Sequence, residues 1–119
     1  MSLQSTDCEA AAVAKAPRVA LADIEGAVEH RFDINAADAV GSTAGHVVKG
    51  NGSSSMDALR PLSICLLVMK NGFTVIGKSA PASPENFNAE LGRKLAYEDA
   101  VRQLWPLMGY ALRDKLAGF

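Results

Sequence analysis

Two apolar runs joined by Asn71-Gly72, followed by a long amphipathic stretch, constrain the fold of this chain more than any other feature. The runs cover residues 62–69 and 73–79. Asn-Gly between two such runs predicts a β-hairpin, because a type I′ turn needs positive φ at both central residues. Residues 62–69 are apolar on both faces of a strand. We therefore expect the chain's own helices on one face, and a partner subunit is a candidate cover for the other.

The stretch behind the hairpin predicts helix. Asn86 or Asn88 is a natural N-cap for it. Pro106 has no amide hydrogen to donate, so we expect a break there and two helices, at residues 88–104 and 106–117. The apolar positions recur at helical spacing: Leu91, Leu95, Leu104, Met108, Leu112 and Leu116.

The front of the chain is organised less clearly. Residues 1–17 are rich in alanine, and we interpret them as a flexible leader, or as a tail that docks on another surface. From Arg18 the apolar positions again follow helical spacing, which predicts an N-terminal helix with His30-Arg31 in its last turn, where positive charge is favoured. Residues 32–40 are interpreted as a short connector.

Residues 41–57 contain four Gly and four Ser, which predicts a flexible loop. The sequence thus predicts a single α+β domain over residues 18–119. Its parts are an N-terminal helix, a small antiparallel sheet centred on the hairpin and two C-terminal helices packed on that sheet. We expect a homodimer or a higher homo-oligomer, since a long helix with an aromatic residue at a break is typical of a dimer seam.

Charge and composition narrow the possible functions. The formal net charge is −1, and the second half of the chain is mildly basic, with eight Lys and Arg against five Asp and Glu after residue 59. No clustered basic stripe or known module indicates nucleic-acid binding. No apolar stretch reaches the length of a membrane span, about 20 residues. We expect no membrane contact, no cofactor and a location in the cytoplasm.

Catalytic and metal-binding patterns are not found in the sequence. Cys8 and Cys65 lack the spacing of a zinc site, and Cys65 is best interpreted as a small buried hydrophobe. The two histidines form no Ser-His-acid or Cys-His constellation. We therefore predict that the protein is not an enzyme and holds no metal.

Three blocks of the second half resemble a known family of small tailed-phage proteins, the phage gene-49/gene-66 family. They occur in the family's order at residues 70–80 (KNGFTVIGKSA), 83–94 (SPENFNAELGRK) and 105–113 (WPLMGYALR). The family label implies no activity by itself. The family is also similar to Thoeris anti-defence proteins, compact α+β oligomers that sequester nucleotide second messengers without catalysis. The resemblance therefore implies an accessory phage protein acting in the cytoplasm of an infected or lysogenic bacterium.

On this basis we predict capture of a cyclic nucleotide-type immune signal, such as a cyclic ADP-ribose variant or a cyclic oligonucleotide. Phe87 or Phe73 would stack the base, and cations would hold phosphate. The predicted ligand-binding residues are Phe73, Lys78, Asn86, Phe87, Asn88, Arg93 and Arg113, converging across a subunit interface. The alternative is a phage protein that inhibits a host protein through its helical face.

Simpler interpretations of these residues remain open. Asn86 or Asn88 suits a helix cap, and Phe87 suits a hydrophobic staple that holds the loop to the core. Arg93 suits a solvated helix face paired with nearby carboxylates. The ligand hypothesis therefore depends on these residues acting together.

Overall fold

The structure, a computed structural model, describes residues 2–42, 48–50 and 53–119. The described elements follow in chain order: α1 (Leu3–Val13), α2 (Leu21–Ala27), β1 (Val28–Asn35), α3 (Ala36–Gly41), α4 (Ser53–Leu59), β2 (Ser63–Met69), β3 (Thr74–Ser79), a short 3₁₀ turn (Pro84–Asn86) and α5 (Ala89–Leu116). The three strands form one antiparallel sheet in the order β1-β2-β3. The predicted α+β class is confirmed, with a three-stranded sheet.

The predicted hairpin is confirmed as β2 and β3, but its turn is not type I′. Gly72 has φ of 87°, whereas φ of Asn71 is not positive. The Gly72 amide donates to the Met69 carbonyl at 2.8 Å, and the Met69 amide donates to the Phe73 carbonyl at 2.8 Å. This pattern fits a three-residue loop with glycine in the left-handed position. The Asn71 side chain accepts a hydrogen bond from the Phe73 amide at 2.9 Å, and this local bond stabilises the turn.

The predicted N-terminal helix is confirmed only over its first part. Leu21 and Ile24 are buried on α2, as their spacing predicts. The helix ends at Ala27, and the chain then enters β1 with a 2.9 Å bond from the Lys70 amide to the Ala27 carbonyl. The placement of His30-Arg31 in a helical last turn is therefore wrong. Pairing with β2 provides the backbone hydrogen bonds of this segment.

The interpretation of residues 32–40 as a connector is also wrong. The segment completes β1 and then forms α3, whose first turn is capped by Asn35. The side-chain Oδ1 of Asn35 accepts hydrogen bonds from the Ala37 amide at 3.0 Å and the Asp38 amide at 3.3 Å. The predicted loop over residues 41–57 lies partly outside the described residues, and its last five residues begin α4 instead of belonging to a loop.

The two predicted C-terminal helices are one helix, α5, which runs through Pro106. Asn88 is the N-cap, and its side chain accepts the Leu91 amide at 3.0 Å. Contacts just before the proline hold the axis in place: Leu104 is buried, and the Trp105 indole donates to the Val19 carbonyl at 3.0 Å. Pro106 itself is exposed, so its ring meets solvent and not a packed neighbour. Packing thus offsets the cost of the missing hydrogen bond.

One face of the sheet packs closely on α5 through small residues. Gly92, Ala96 and Ala100 are buried on the helix, and Gly77 lies opposite on β3. The largest fully buried side chains are Ile24, Cys65, Leu67 and Val101. The core is therefore a layer between β2, β3, α2 and the first half of α5. Among the described helices, none combines the length and apolar character that a membrane span needs.

The segment before α2 carries its own contacts. The Asp7 carboxylate forms a 2.8 Å ion pair with Arg18 and accepts a 3.0 Å hydrogen bond from the Leu21 amide. Leu3, on the same helix, is buried. The prediction of a flexible leader concerns the motion of residues 1–17, and it stays a prediction. The contacts nevertheless define what docks α1 on the domain.

Acid should loosen α1. The hydrogen bonds from Arg18 and from the Leu21 amide hold the pKa of the Asp7 carboxyl below its ordinary value of 3.8. A lowered folded-state pKa contributes stability above the ordinary pKa, and this stability is lost as the pH falls through the lowered pKa. We expect exchange protection factors of the α1 amides to drop below pH 3.8. Asp7→Asn should already show the low protection at neutral pH, and unchanged α1 protection in acid would contradict the docking role of Asp7.

Candidate functional site

A small cavity at the start of α5 brings two of the predicted ligand-binding residues together. Phe87 and Arg93 line it together with Ser63, Asp33 and Asp38. Its volume is about 190 Å³. Ligand sites for small organic molecules typically enclose about 300–1,000 Å³, so this cavity is small for a nucleotide.

The charges of this cavity also disfavour phosphate. Arg93 is its one cation among the lining residues, and Asp33 and Asp38 both contribute carboxylates. Asp33 is already paired with Arg31 at 3.0 Å, which leaves Asp38 facing the same space as Arg93. A carboxylate repels an anionic ligand where a cation would attract it. Within one chain, the cavity suits a small polar group better than a phosphate.

The two predicted asparagines have different surroundings. The Asn88 side chain is occupied as the N-cap of α5, which is the simpler of its two interpretations. Asn86 is exposed at the end of the 3₁₀ turn, where its amide donates to the Ser83 carbonyl at 3.0 Å. Their ligand-binding role stays a prediction.

The remaining predicted residues do not line this cavity. Lys78 projects from β3 on the sheet face away from α5. Arg113 is twenty residues beyond Arg93 on the same helix, which separates them by roughly 30 Å along its axis. Phe73 sits at the other end of the sheet, beside the hairpin turn. The seven residues therefore do not form one site within a single chain, and their convergence across a subunit interface stays a prediction.

A larger cavity lies between the hairpin turn and the second half of α5. This hairpin cavity has a volume of about 440 Å³. Met69, Leu104 and Met108 are among its apolar lining residues. Phe73 also lines the cavity, and 47% of its surface is exposed. Lys70 and Asn71 supply its polar rim. An apolar concavity with a few polar groups at its rim is the usual form of a small-molecule site.

The comparison with protein families shows to which family the chain belongs. The model described as "Phage protein (N4 Gp49/phage Sf6 gene 66) family" matches residues 20–116. The chain belongs to this family. The resemblance read from the three sequence blocks is therefore confirmed. Searches of curated proteins and of solved structures each gave no match.

The match divides this phage protein into two parts. It covers α2 through the last turn of α5, and so it includes both cavities. Helix α1 lies before the matched residues. The two candidate cavities thus belong to the part of the chain that the family shares.

Sequence reasoning missed Lys70 and Asn71 as rim residues of the hairpin cavity. A signal was available, because an Asn-Gly turn places the residue before it and the asparagine at the tip of the hairpin. The positions at 104, 107, 108 and 111 on α5 also share one helical face. What could not be read was that this face meets the hairpin tip, since that depends on the angle at which α5 crosses the sheet.

Two observations concern possible metal ligands and nucleophiles. Within residues 2–42, 48–50 and 53–119, no group of three or more His, Cys, Asp and Glu side chains is arranged to hold a metal ion. Cys65 is fully buried, as the sequence predicts, and burial raises its pKa to about 11. A thiol with that pKa is a poor nucleophile, because the thiolate is the reactive form.

The two cysteines should differ sharply in reactivity. Cys8 is exposed on α1, whereas Cys65 is buried and its thiol stays protonated at neutral pH. We expect iodoacetamide at pH 7.5 to label one thiol per native chain, at Cys8, and two thiols after denaturation in urea. Peptide mass mapping assigns the sites, and Cys8→Ser should abolish native labelling. Rapid labelling of Cys65 in the native protein would contradict its burial.

Proposed function

We propose that this phage protein is a non-catalytic accessory protein that captures a nucleotide-type signal in the hairpin cavity. The cavity itself carries the proposal: it is large enough for a base with its sugar, and its interior is apolar. The lining includes an aromatic ring, a cation and an amide. Capture in the cytoplasm of an infected or lysogenic host would withdraw an immune signal and so counter defence.

Each rim residue has a defined part in this binding. Phe73 presents a half-exposed ring on which a base can stack, in keeping with the role predicted for it from sequence. Lys70 follows β2 directly and can place its ammonium against one phosphate. The side-chain Oδ1 of Asn71 accepts the Phe73 amide, which leaves the side-chain NH₂ group to donate to the ligand. A single cation favours a ligand with few negative charges.

The test is binding followed by recovery. Purified protein is incubated with cyclic ADP-ribose variants and cyclic oligonucleotides, freed of unbound ligand, heat-denatured, and the released molecules are identified by chromatography and mass spectrometry. Intact ligand recovered at one per chain, or one per assembly, supports capture. Converted ligand would mean an enzyme, and no bound ligand across the panel would overturn the proposal.

Paired variants locate the site. Lys70→Ala and Phe73→Ala should each weaken binding by about tenfold or more, since a hydrogen bond to a charged group or a base stack is worth about 1.5–3 kcal/mol. Lys78→Ala is the matched control, because Lys78 is an exposed lysine of the same hairpin outside the cavity. Equal losses in Lys70→Ala and Lys78→Ala would place binding elsewhere.

A second candidate function is inhibition of a host protein through the second half of α5. All buried positions of α5 occur by Leu104, and beyond it Leu107 and Tyr110 expose 49% and 73% of their surfaces on neighbouring helical positions. A half-helix of this kind suits an apolar groove of a partner. The test is whether wild-type protein inhibits a host enzyme identified by co-purification. The double variant Leu107→Glu/Tyr110→Glu should lose inhibition, and inhibition retained by it would exclude this face.

A further inference from the structure

The two edge strands of the sheet, β1 and β3, differ in their contacts with the rest of the chain. On β3, two of the backbone groups that point away from β2 are bonded by side chains of α5. Gln103 donates to the Ile76 carbonyl at 2.7 Å, and Asp99 accepts the Lys78 amide at 2.9 Å. These bonds occupy groups that another strand would need for pairing. The β3 edge is therefore closed.

The β1 edge is open among the described residues. The Ala36 amide donates to the Leu62 carbonyl at 3.0 Å, and the antiparallel alternation from this bond assigns Ile34 and Phe32 to bonding with β2. The backbone groups of Arg31 and Asp33 then point outward. No backbone or side-chain group of the described chain bonds them, and residues 29–33 are all exposed. An edge of this kind is a template for another strand.

Two copies of this chain can pair along β1 in very few ways. In an antiparallel, two-fold symmetric pair, outward groups must meet outward groups, so the register moves in steps of two residues. Centring the axis on Arg31 or on Asp33 would place each of these charges opposite its own copy. Centring the axis on Phe32 places Arg31 opposite Asp33 of the second copy, twice. An axis on His30 would oppose Arg31 and Glu29, but the ladder shifts register between Val28 and His30, so Glu29 lies outside the regular pairing. Opposite charges at directly opposed positions stabilise a strand pair, and like charges destabilise it.

We propose that two copies of this protein dimerise by pairing their β1 strands antiparallel about Phe32, which joins the two sheets into one of six strands. Arg31 and Asp33 are already 3.0 Å apart within a chain, and the Arg31 guanidinium lies 4.2 Å from the centre of the Tyr97 ring. In the dimer, the Arg31–Asp33 ion pair of one copy lies beside that of the other, and the two pairs form one cluster of four alternating charges. The partner that fits this edge is therefore a second copy of the chain.

The residues on the outer face of the sheet, the face opposite α5, fit this pairing register. Phe32 points to the face opposite α5, where it is 54% exposed beside Leu66 and Ile76 of the same row. At the two-fold axis, Phe32 would lie directly opposite Phe32 of the second copy, in a non-hydrogen-bonded pair with the Cα atoms about 4.5 Å apart. Aromatic pairs at such positions contribute to strand pairing.

Charge variants test the proposal by mass in solution. Sedimentation equilibrium should give twice the chain mass for wild type, and the chain mass for Arg31→Asp and for Asp33→Arg, because each single change creates like-charge contacts at the axis. The double variant Arg31→Asp/Asp33→Arg should recover the dimer. Arg60→Asp is the matched control, since it breaks an equally short, exposed ion pair with Asp57 on α4 and should leave the dimer intact. A monomeric wild type, or single charge variants that stay dimeric, would overturn the proposal.

Cross-linking tests the register directly. In a Cys8→Ser background, Phe32→Cys should form a disulfide between chains under mild oxidation, because paired Cα atoms about 4.5 Å apart lie within disulfide range. Ile76→Cys, more exposed and on the same face but on β3, should stay unlinked. Equal cross-linking of both variants would reject pairing at β1. Circular dichroism of each variant confirms that the fold persists, and the outcome is independent of ligand capture in the hairpin cavity.

Discussion

Gly77→Ala is expected to lower the free energy of unfolding by about 3 kcal/mol or more, because overpacking against a fixed backbone exceeds the ordinary cost of an added methyl group. A Cβ atom at this position would lie 2.1 Å from the Ala96 carbonyl oxygen and 2.6 Å from the Ala100 amide nitrogen. Both are main-chain atoms of α5, so no side chain can rotate away. The whole helix would have to rise from the sheet.

Urea unfolding followed by circular dichroism, at one fixed protein concentration, measures this loss. Gly109→Ala is the matched control on α5 itself, since a Cβ there meets nothing within 4 Å. It should stabilise the protein by up to about 1 kcal/mol through helix propensity. A Gly77→Ala variant as stable as wild type would show that α5 does not press on β3 at this point.

Leu67→Ala should cost about 2–5 kcal/mol of unfolding free energy, the usual range for removing a fully buried leucine side chain. Leu67 lies in the middle of the central strand with none of its surface exposed, and it faces α5. Removing its side chain leaves a cavity bounded by strands on two sides and a helix above. These elements are tied to one another, so the space can collapse only in part.

The same unfolding experiment checks this value, with Ile76→Ala as the control for an apolar residue on the opposite sheet face. Ile76 is 61% exposed, so its truncation should cost less than about 1 kcal/mol. Similar costs for the two variants would mean that the outer face is covered as fully as the inner one. A small effect of Leu67→Ala alone would contradict the assigned core.

Local sequence signals predicted the second half of the fold best. The hairpin needed only two apolar runs and a turn residue able to take positive φ, and Gly72 provides it. The start of α5 needed an N-cap, and Asn88 provides it through the Leu91 amide. Both features are satisfied within a few residues, so the pattern alone is informative.

The errors occurred where distant contacts override local preference. Pro106 signals a helix break, but the packing of Leu104 and the bond from Trp105 to Val19 keep α5 continuous. Val28 continues a helical spacing, yet it begins a strand that pairs with β2. The partner residues are distant in the chain: Val19 is 86 residues from Trp105, and Val28 pairs with Met69.

The candidate site was predicted less well than the fold, because it depends on which ends of elements meet. Phe87 and Arg93 line the same cavity, since both flank the start of α5, and their binding role stays a prediction. Spacing could not show that Phe73 and Arg113 lie away from the cavity at the start of α5. Phe73 is at the opposite end of the sheet, and Arg113 is near the other end of α5. The rim formed by Lys70 and Asn71 becomes visible only once the hairpin tip lies beside α5.

The sequence alone determined the hairpin, the capped start of the long helix and the membership of a phage protein family, because all three are written in short, contiguous blocks. Tertiary structure alone decided the continuity of α5 through Pro106, the third strand β1, and the close contact of Gly77 with the backbone of α5. It also decided that one sheet edge is closed by Asp99 and Gln103 while the other is open. These features depend on long-range packing and hydrogen bonding, and their free energies exist only when remote segments are brought together.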